Sequence, residues 1–323
     1  MIIGKLRKIT HISRNMLFSK IVRPLKQWFM PAPETLAEPI TKSSKLEWLR
    51  CLPFIAIHIA AVTVFFTSFN QWCVILFLCS YTIRMFGITA FYHRYFSHRA
   101  FKTNRIVQLA GATLACSAGQ RGPLWWAAHH RMHHRHSDTD KDIHSPKQKG
   151  FFWSHIFWFM TEYANPTYMK HVSDWKKYPE LCFLNRFDWI PFIVLGALIY
   201  LTGEMGIFKQ HLGSSGLQWL VWGFILPTIA LYHATFSVNS IAHMFGSRRF
   251  ATKDTSRNNI PVAILTLGEG WHNNHHFYPA SVRQGFTKNE FDPTYHGLRI
   301  LEKLGLIHSL NLLPTWVLRK IKP

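Results

Sequence analysis

Acidic residues are scarce in this chain: its 323 residues include 16 Asp and Glu against 37 Lys and Arg, a formal net charge of +21 in a sequence that is 48% hydrophobic. A basic nucleic-acid binder spreads Lys and Arg through polar segments, whereas here long stretches hold almost none, so no nucleic-acid partner is expected. Cysteine is sparse as well. Cys51, Cys73, Cys79, Cys116 and Cys182 are scattered without a Cys-x-x-Cys pair, which excludes a disulfide framework and a thiolate zinc site. Internal repeats and low-complexity tracts are missing. The N-terminal residues include Lys5, Arg7, Lys8 and Arg14 but no uninterrupted apolar run of secretory length, so no cleaved leader is expected. Ile9, Ile12 and Met16 at helical spacing fit a helix lying on a membrane surface, the alternative being a disordered basic tail.

What the chain does have is segregation. Four apolar segments, 51–69, 72–92, 189–208 and 217–238, approach the roughly 20 residues that a membrane-spanning helix needs. Asn70 and Gln71 join the first pair, and a short stretch with Lys209, Gly213 and Gly216 joins the second, so they read as two hairpins. Lys and Arg number 10 in residues 1–50, 14 in 92–188 and 11 in 239–323, against one in the two connections. The positive-inside rule then puts all three basic regions in the cytoplasm. The expected organisation is a basic segment 1–50, a hairpin 51–92, a cytoplasmic region 93–188, a second hairpin 189–238 and a cytoplasmic region 239–323. Arg84, inside the second span, is placed to snorkel or to face the bundle interior. Phe151 to Met160 is aromatic and too short to cross, and is expected in the interface. Ile300, Leu301, Leu304 and Ile307, at helical spacing, are expected to pack against the cytoplasmic region.

The 20 histidines are concentrated outside those spans, with only His58 and His233 inside them. Three clusters stand out: His93-Arg-Tyr-Phe-Ser-His98, His130-Arg-Met-His133-His134 and His272-Asn-Asn-His275-His276. Residues at i, i+3 and i+4 share a helix face, so His130, His133 and His134 form one half-site for a metal and His272, His275 and His276 another. The set His129, His133 and His136 shares a face equally well, and spacing alone leaves both open. Asn239 and His243 pair in the same way where the fourth span ends. His93 and His98, five apart, diverge on a regular helix, so the helix is expected to end or bend between them. Isolated His11, His155, His171, His211, His296 and His308 are read as structural. Imidazole suits iron, zinc, copper or nickel alike. There is no His-Glu-x-x-His, and only one Glu-x-x-His, Glu269 to His272, where a soluble di-iron bundle needs two.

In their order, His93 to His98, His130 to His134, Asn239-Ser-Ile-Ala-His243 and Gly268-Glu-Gly-Trp-His272-Asn-Asn-His275-His276 resemble the membrane-bound fatty acyl desaturases, the family of stearoyl-CoA desaturase and its bacterial relatives. The resemblance covers residues from about 50 to 280. It implies an all-α integral membrane protein, four transmembrane helices in two hairpins under a cytoplasmic helical cap with a di-iron site. By motif, His93, His98, His130, His133, His134, His243, His272, His275 and His276 would hold the two iron ions, and Asn239 would reach a metal through water. His129 and His136 would then support the ligands from behind. The implied reaction uses O2 to remove two hydrogens from adjacent carbons of a long saturated chain, with acyl-CoA at the delta-9 position expected first. Nothing resembles a fused haem, flavin or NAD domain, so a separate electron donor is implied, cytochrome b5 or a ferredoxin with its reductase.

Two departures bear on the carrier. Ala128-His129 stands where animal acyl-CoA enzymes carry Arg-Asp, and Trp125-Trp-Ala-Ala-His-His130 resembles bacterial members, favouring a bacterial inner membrane over the endoplasmic reticulum. Phe236 stands where the family commonly has Trp before the Asn-x-x-x-His motif, a change expected to alter the acyl tunnel. A basic entrance with Arg121, Lys147, Lys149, Lys176 and Lys177 would suit an anionic carrier, acyl-CoA first, with acyl carrier protein or phospholipid as alternatives. The nearest rival activity is a di-iron hydroxylase of lipids or sterols. A divalent-metal transporter, the rival of another class, should carry ligands at mid-membrane, where only His58, His233 and Glu204 are on offer.

Overall fold

Residues 33–36 and 44–321 are described by the structure, a computed structural model. The predicted N-terminal surface helix, His11 and the His211 side chain lie outside what is described. The first helix, α1 (Trp48–Ala60), tightens into a 3-10 segment, Ala61–Phe66. Asn70 then caps α2 (Gln71–Phe86) by accepting from the Cys73 amide at 3.2 Å, which satisfies one of the amides a helix start leaves free.

This second helix does not end at 92. It continues through Gly87–Ser97 as a π-helix, every residue of which is buried. Two helices then flank it: α3 (Arg105–Cys116), capped by Asn104, and α4 (Pro123–His136), whose Pro123 occupies the first turn, where its missing amide costs nothing. Gly87 and Gly111 make the contact with α3 close: a Cβ on Gly87 would meet Leu114 at 2.9 Å, and one on Gly111 would strike the Phe91 ring.

The predicted run 189–208 is broken. Met205 takes an extended conformation and ends α6 (Trp189–Glu204), which at its other end meets α5 (Pro179–Arg186) at 71°. By itself α6 is about 24 Å long at 1.5 Å per residue, short of a hydrocarbon core of about 30 Å. A last long run, Gly216–Met244, contains a π turn at Val221–Ile225 and then α7 (Leu226–Asn239). Pro227, which lacks an amide, lies two residues beyond that turn. Among the described residues, then, three helices are long and apolar enough to cross a membrane, or four if the bent pair counts as one span. Phe65, Phe66, Leu78, Ile83, Leu198 and Leu201 are exposed on their outer faces. An apolar surface of that extent suits lipid, not water, and the protein is a membrane protein.

Arg84 faces inward. It is buried, with Nη1 donating to Thr228 Oγ1 at 2.7 Å and Nε to the Ser80 carbonyl at 3.2 Å. The aromatic segment forms two short turns, Phe151–His155 and Phe157–Met160, with Phe152 exposed and Trp158 and Met160 buried. The helices that follow the last span include α8 (His272–Phe277) and the amphipathic α9 (Pro293–Lys303). The C-terminal stripe is divided: Leu301 and Ile307 join the core as expected, but Ile300 and Leu304 are 59% and 66% exposed.

Candidate metal centre

The π-helix decides how the first cluster is presented. At about 100° per residue an α-helix would separate His93 and His98 by about 140°. With i to i+5 hydrogen bonding, seen as His98 N–H donating to the His93 carbonyl at 3.2 Å, residues five apart come onto one face. Their rings lie 4.9 Å apart between centroids. The helix ends between them, at Ser97, as the spacing had led us to expect, but it first widens.

Nine imidazoles meet in two groups. One nitrogen each of His93, His98, His130, His134 and His275 lie within 4.8 Å of one another, as do those of His133, His243, His272 and His276. Each helical triple is thus divided. Its i and i+4 members stay together and its i+3 member crosses over: His133 joins the pair from α8, and His275 joins the pair from α4. The groups adjoin, with the His134 and His276 rings 4.5 Å apart.

Convergence is through Nε2. His98 meets His130 at 2.8 Å, His275 meets His134 at 2.8 Å and His93 at 3.1 Å, and His243 meets His272 at 3.0 Å. The far nitrogens face carboxylates: His93 Nδ1 lies 2.5 Å from Glu269, His133 Nδ1 3.0 Å from Asp142, His276 Nδ1 2.9 Å from Asp254 and His243 Nδ1 3.5 Å from Asp138. A proton on Nδ1 serves each carboxylate and leaves Nε2 bare. Yet the Nε2 atoms of His133 and His276 face each other at 3.4 Å. Two bare lone pairs repel at that distance, and a shared cation would relieve them. With imidazole–metal bonds of about 2.0–2.1 Å, donors at right angles lie about 3 Å apart, which matches these spacings.

Electrostatics agree with that reading for most of the nine; His133 is instead held up, against its burial, by the carboxylates around it, Asp142 first. Burial, reinforced by neighbouring imidazoles, holds His98, His130, His134, His272 and His275 well below the usual histidine range, so they are neutral and able to ligate. Burial alone would raise the carboxylates behind them. Instead their imidazole partners, with further hydrogen bonds, hold Asp138, Asp142 and Asp254 down. Glu269 is held down by His93 and by Arg94, which is fully buried between Glu269 and Asp292.

Of the residues singled out in the sequence, His129 and His136 do not enter either group. His129 is buried, with Nδ1 donating to the Trp125 carbonyl at 2.9 Å among Trp125, Trp158 and Tyr168; His136 is half-buried at the end of α4. Asn239 ends α7 four residues before His243, its carbonyl accepting from Ser154 Oγ at 2.9 Å. His58 and His233 form a separate file: His58 Nε2 meets His233 Nε2 at 3.2 Å, and His233 Nδ1 meets His155 Nε2 at 3.0 Å. Both ring nitrogens of His233 are used in line, so this file does not converge on a metal. Glu204 accepts from the Gly216 amide and Lys209. Phe236 is buried against Tyr232, Phe159 and Phe54.

The residues that sequence reasoning missed are the supporting ones: Arg94, Asp138, Asp142, His144, Asp254, Gln284 and Asp292. The signal was scarcity. In a chain with 16 acidic residues, Asp138 and Asp142 follow the second histidine cluster within ten residues, and Glu269 precedes the third. Gln284 Nε2 is drawn 3.1 Å from His275 Nδ1, while its Oε1 is buried without a partner. Turning the amide over lets the oxygen accept from His275, completing the same pattern.

Residues 70–284 match the fatty acid desaturase family model. The chain is 35% identical over 277 residues to the sn-1 stearoyl-lipid 9-desaturase of Anabaena variabilis, covering 83% of this chain and 95% of that protein. It is likewise 35% identical over 272 residues to the sn-2 palmitoyl-lipid 9-desaturase of Nostoc sp. (strain 36), covering 82% and 90%. With a probable acyl-CoA desaturase of Schizosaccharomyces pombe it shares 33% over 299 residues, 90% of this chain and 61% of the other. Histidine clusters, apolar helices and sequence agree, and the chain belongs to the fatty acid desaturase family, as an oxidoreductase that acts on acyl chains.

Proposed function

We propose that the protein introduces a cis double bond at position 9 of a long saturated acyl chain, with two irons held by the nine histidines and Asn239 reaching one of them through water. The observation that carries this reading is the pair of convergent Nε2 groups, each backed by carboxylates. Bound there, two irons supply O2 activation with electrons from a separate donor, cytochrome b5 or a ferredoxin. The chain's own residues do the rest. Glu269, Asp142, Asp254 and Asp138 hold the Nδ1 protons, so that Nε2 is presented. Trp126, stacked on His130 with centroids 5.0 Å apart, and the wall of Phe236, Tyr232 and Phe159 keep water away and give an acyl chain an apolar surface.

We read the topology as two hairpins, 51–92 and 189–238, with both termini and the histidine clusters in the cytoplasm of a bacterial inner membrane. The Lys and Arg asymmetry supports this. Acyl-CoA remains the first carrier to test. Arg121 is stacked on Trp125 and 3.4 Å from Asp188, whereas Lys147, Lys149, Lys176 and Lys177 are exposed where an anionic head group would approach, Lys149 and Lys177 also lying over Trp153 and Tyr178. A lipid-linked chain is the second reading, favoured by the names of the two cyanobacterial relatives.

Expression in a host lacking unsaturated fatty acids tests the reaction. The expected product is a 9-monoene; a hydroxy acid in its place points to hydroxylation and overturns the reading. Stearoyl chains labelled on CoA, acyl carrier protein or phospholipid, each offered with an electron donor, then identify the carrier.

A further inference from the structure

The segment after the last span does not stand clear of the apolar layer. Ile260–Leu265 forms a short helix whose Ile260, Ile264 and Leu265 are exposed. Its end lies against the middle of the second span: the Tyr81 hydroxyl donates to the Leu265 carbonyl at 2.5 Å. Counting from Gln71 at about 1.5 Å per residue, Tyr81 stands about 15 Å along that helix and Phe86 about 22 Å, inside a hydrocarbon layer of about 30 Å. The start of α9 is also deep: Gly297 sits against Phe86, where a Cβ would come within 2.6 Å of the ring, and Thr294 Oγ1 meets Thr89 Oγ1 at 2.7 Å.

Backbone at such a depth has no water to satisfy it, so its polar groups must find partners within the protein. They do. The Val262 carbonyl accepts from Thr266 Oγ1 at 2.6 Å, that of Ala263 from the Gly268 amide at 2.8 Å, and that of Leu267 from Thr294 Oγ1 at 2.9 Å. Together with Leu265 and Tyr81, the turn that ends this helix is closed by side chains and amides. Its exposed apolar residues stand beside the face of the second span that carries Tyr81, where Leu78, one turn earlier, is also exposed.

We infer that residues 260–267 and the first turns of α9 insert into the membrane leaflet on the histidine side, with acyl chains of that leaflet covering Ile264, Leu265 and Ile300. This rests on the reading that Gln71–Ser97 spans the membrane. Inserted there, the segment also fixes the depth of the third histidine cluster. Asn259 N–H donates to the Gly270 carbonyl at 2.8 Å, and a Cβ on Gly270 would overlap the Ala263 backbone, so helix and cluster move as one body.

The test uses the full chain in phospholipid vesicles, with Cys79 and Cys182 replaced by Ser and single environment-sensitive fluorophores at Ile264→Cys, Leu78→Cys and Lys141→Cys. Leu78 is the lipid-facing control and Lys141, exposed beyond the second histidine cluster, the aqueous one. Doxyl-labelled lipid should quench Ile264 as it quenches Leu78, and iodide should quench it several-fold less than Lys141. Iodide quenching equal to that at Lys141, with Leu78 still protected, overturns the insertion but not the span. Iodide access at Leu78 itself removes the spanning reading and the inference with it. Ile300→Cys provides a second probe should Ile264→Cys fail to fold.

Discussion

Replacing Glu269 by Gln separates two jobs that one buried carboxylate performs. Oε2 lies 2.5 Å from His93 Nδ1, and Oε1 accepts from Arg94 Nη2 at 2.9 Å and from Nε at 3.2 Å. Glutamine keeps the shape and the acceptor for Arg94, but its amide nitrogen opposes the His93 Nδ1 proton, donor against donor. His93 must then move that proton to Nε2 or turn away, and in either case the first group loses a nitrogen. Loss of such a supporting partner weakens metal binding by about 10–100-fold, about 1.4–2.7 kcal/mol. Folding suffers less. Arg94 remains paired with Asp292 at 2.9 Å, so the loss should stay under the about 3–5 kcal/mol seen when a buried pair is broken outright. Chelator competition on the purified variant measures iron affinity, and thermal unfolding of the iron-free protein measures stability. One iron should weaken and the other hold. Two irons bound with parental affinity, or both weakened equally, would refute the division of the histidines into two groups.

Cysteines at Lys209 and Lys141 should react with a membrane-impermeant maleimide from opposite faces; labelling from one face would overturn the two-hairpin topology. The iron-free protein should lose stability on acidification. His129 is pushed down to about 3 from an ordinary 6.5, chiefly by burial and further by Arg121 and His171, although its bond to Trp125 opposes this. Between those values the unfolded chain binds a proton that the folded one refuses, so stability, complete above about 6.5, falls by about 1.4 kcal/mol per pH unit. Denaturation of His129→Gln over the same range should show a slope shallower by that amount, and an unchanged slope would clear His129 of the effect.

The parts legible in the sequence are those that repeat at short range. His130, His133 and His134 announce a helix face, and Asn70 with Gln71 announces a turn between apolar runs, because both depend on spacing within a few residues. The break at Met205 was legible but passed over: Thr202-Gly203-Glu204 precede it and Gly206 follows, polar and flexible residues that interrupt the apolar content of 189–208. The stripe at Ile300 and Leu304 was read for its period, but period says that a face is apolar without saying whether protein or lipid covers it.

The π-helix was beyond reach for a more general reason. Nothing in Gly87 to Ser97 favours i to i+5 bonding locally; the wider turn is held by what surrounds it. Arg94, on that segment, joins Glu269 and Asp292 from the far end of the chain, and Tyr95 donates to Gln108 on α3 at 2.9 Å. His93 and His98 become neighbours only once those long-range bonds exist. Spacing thus identifies which side chains are available to a metal, whereas the buried acidic residues, few in this chain and distant in sequence, decide which of them meet. That is also why each triple is divided. A helix face about 100° wide presents its i+3 residue to one side of the i, i+4 line, and with α4 and α8 opposed, each contributes that residue to the other's group.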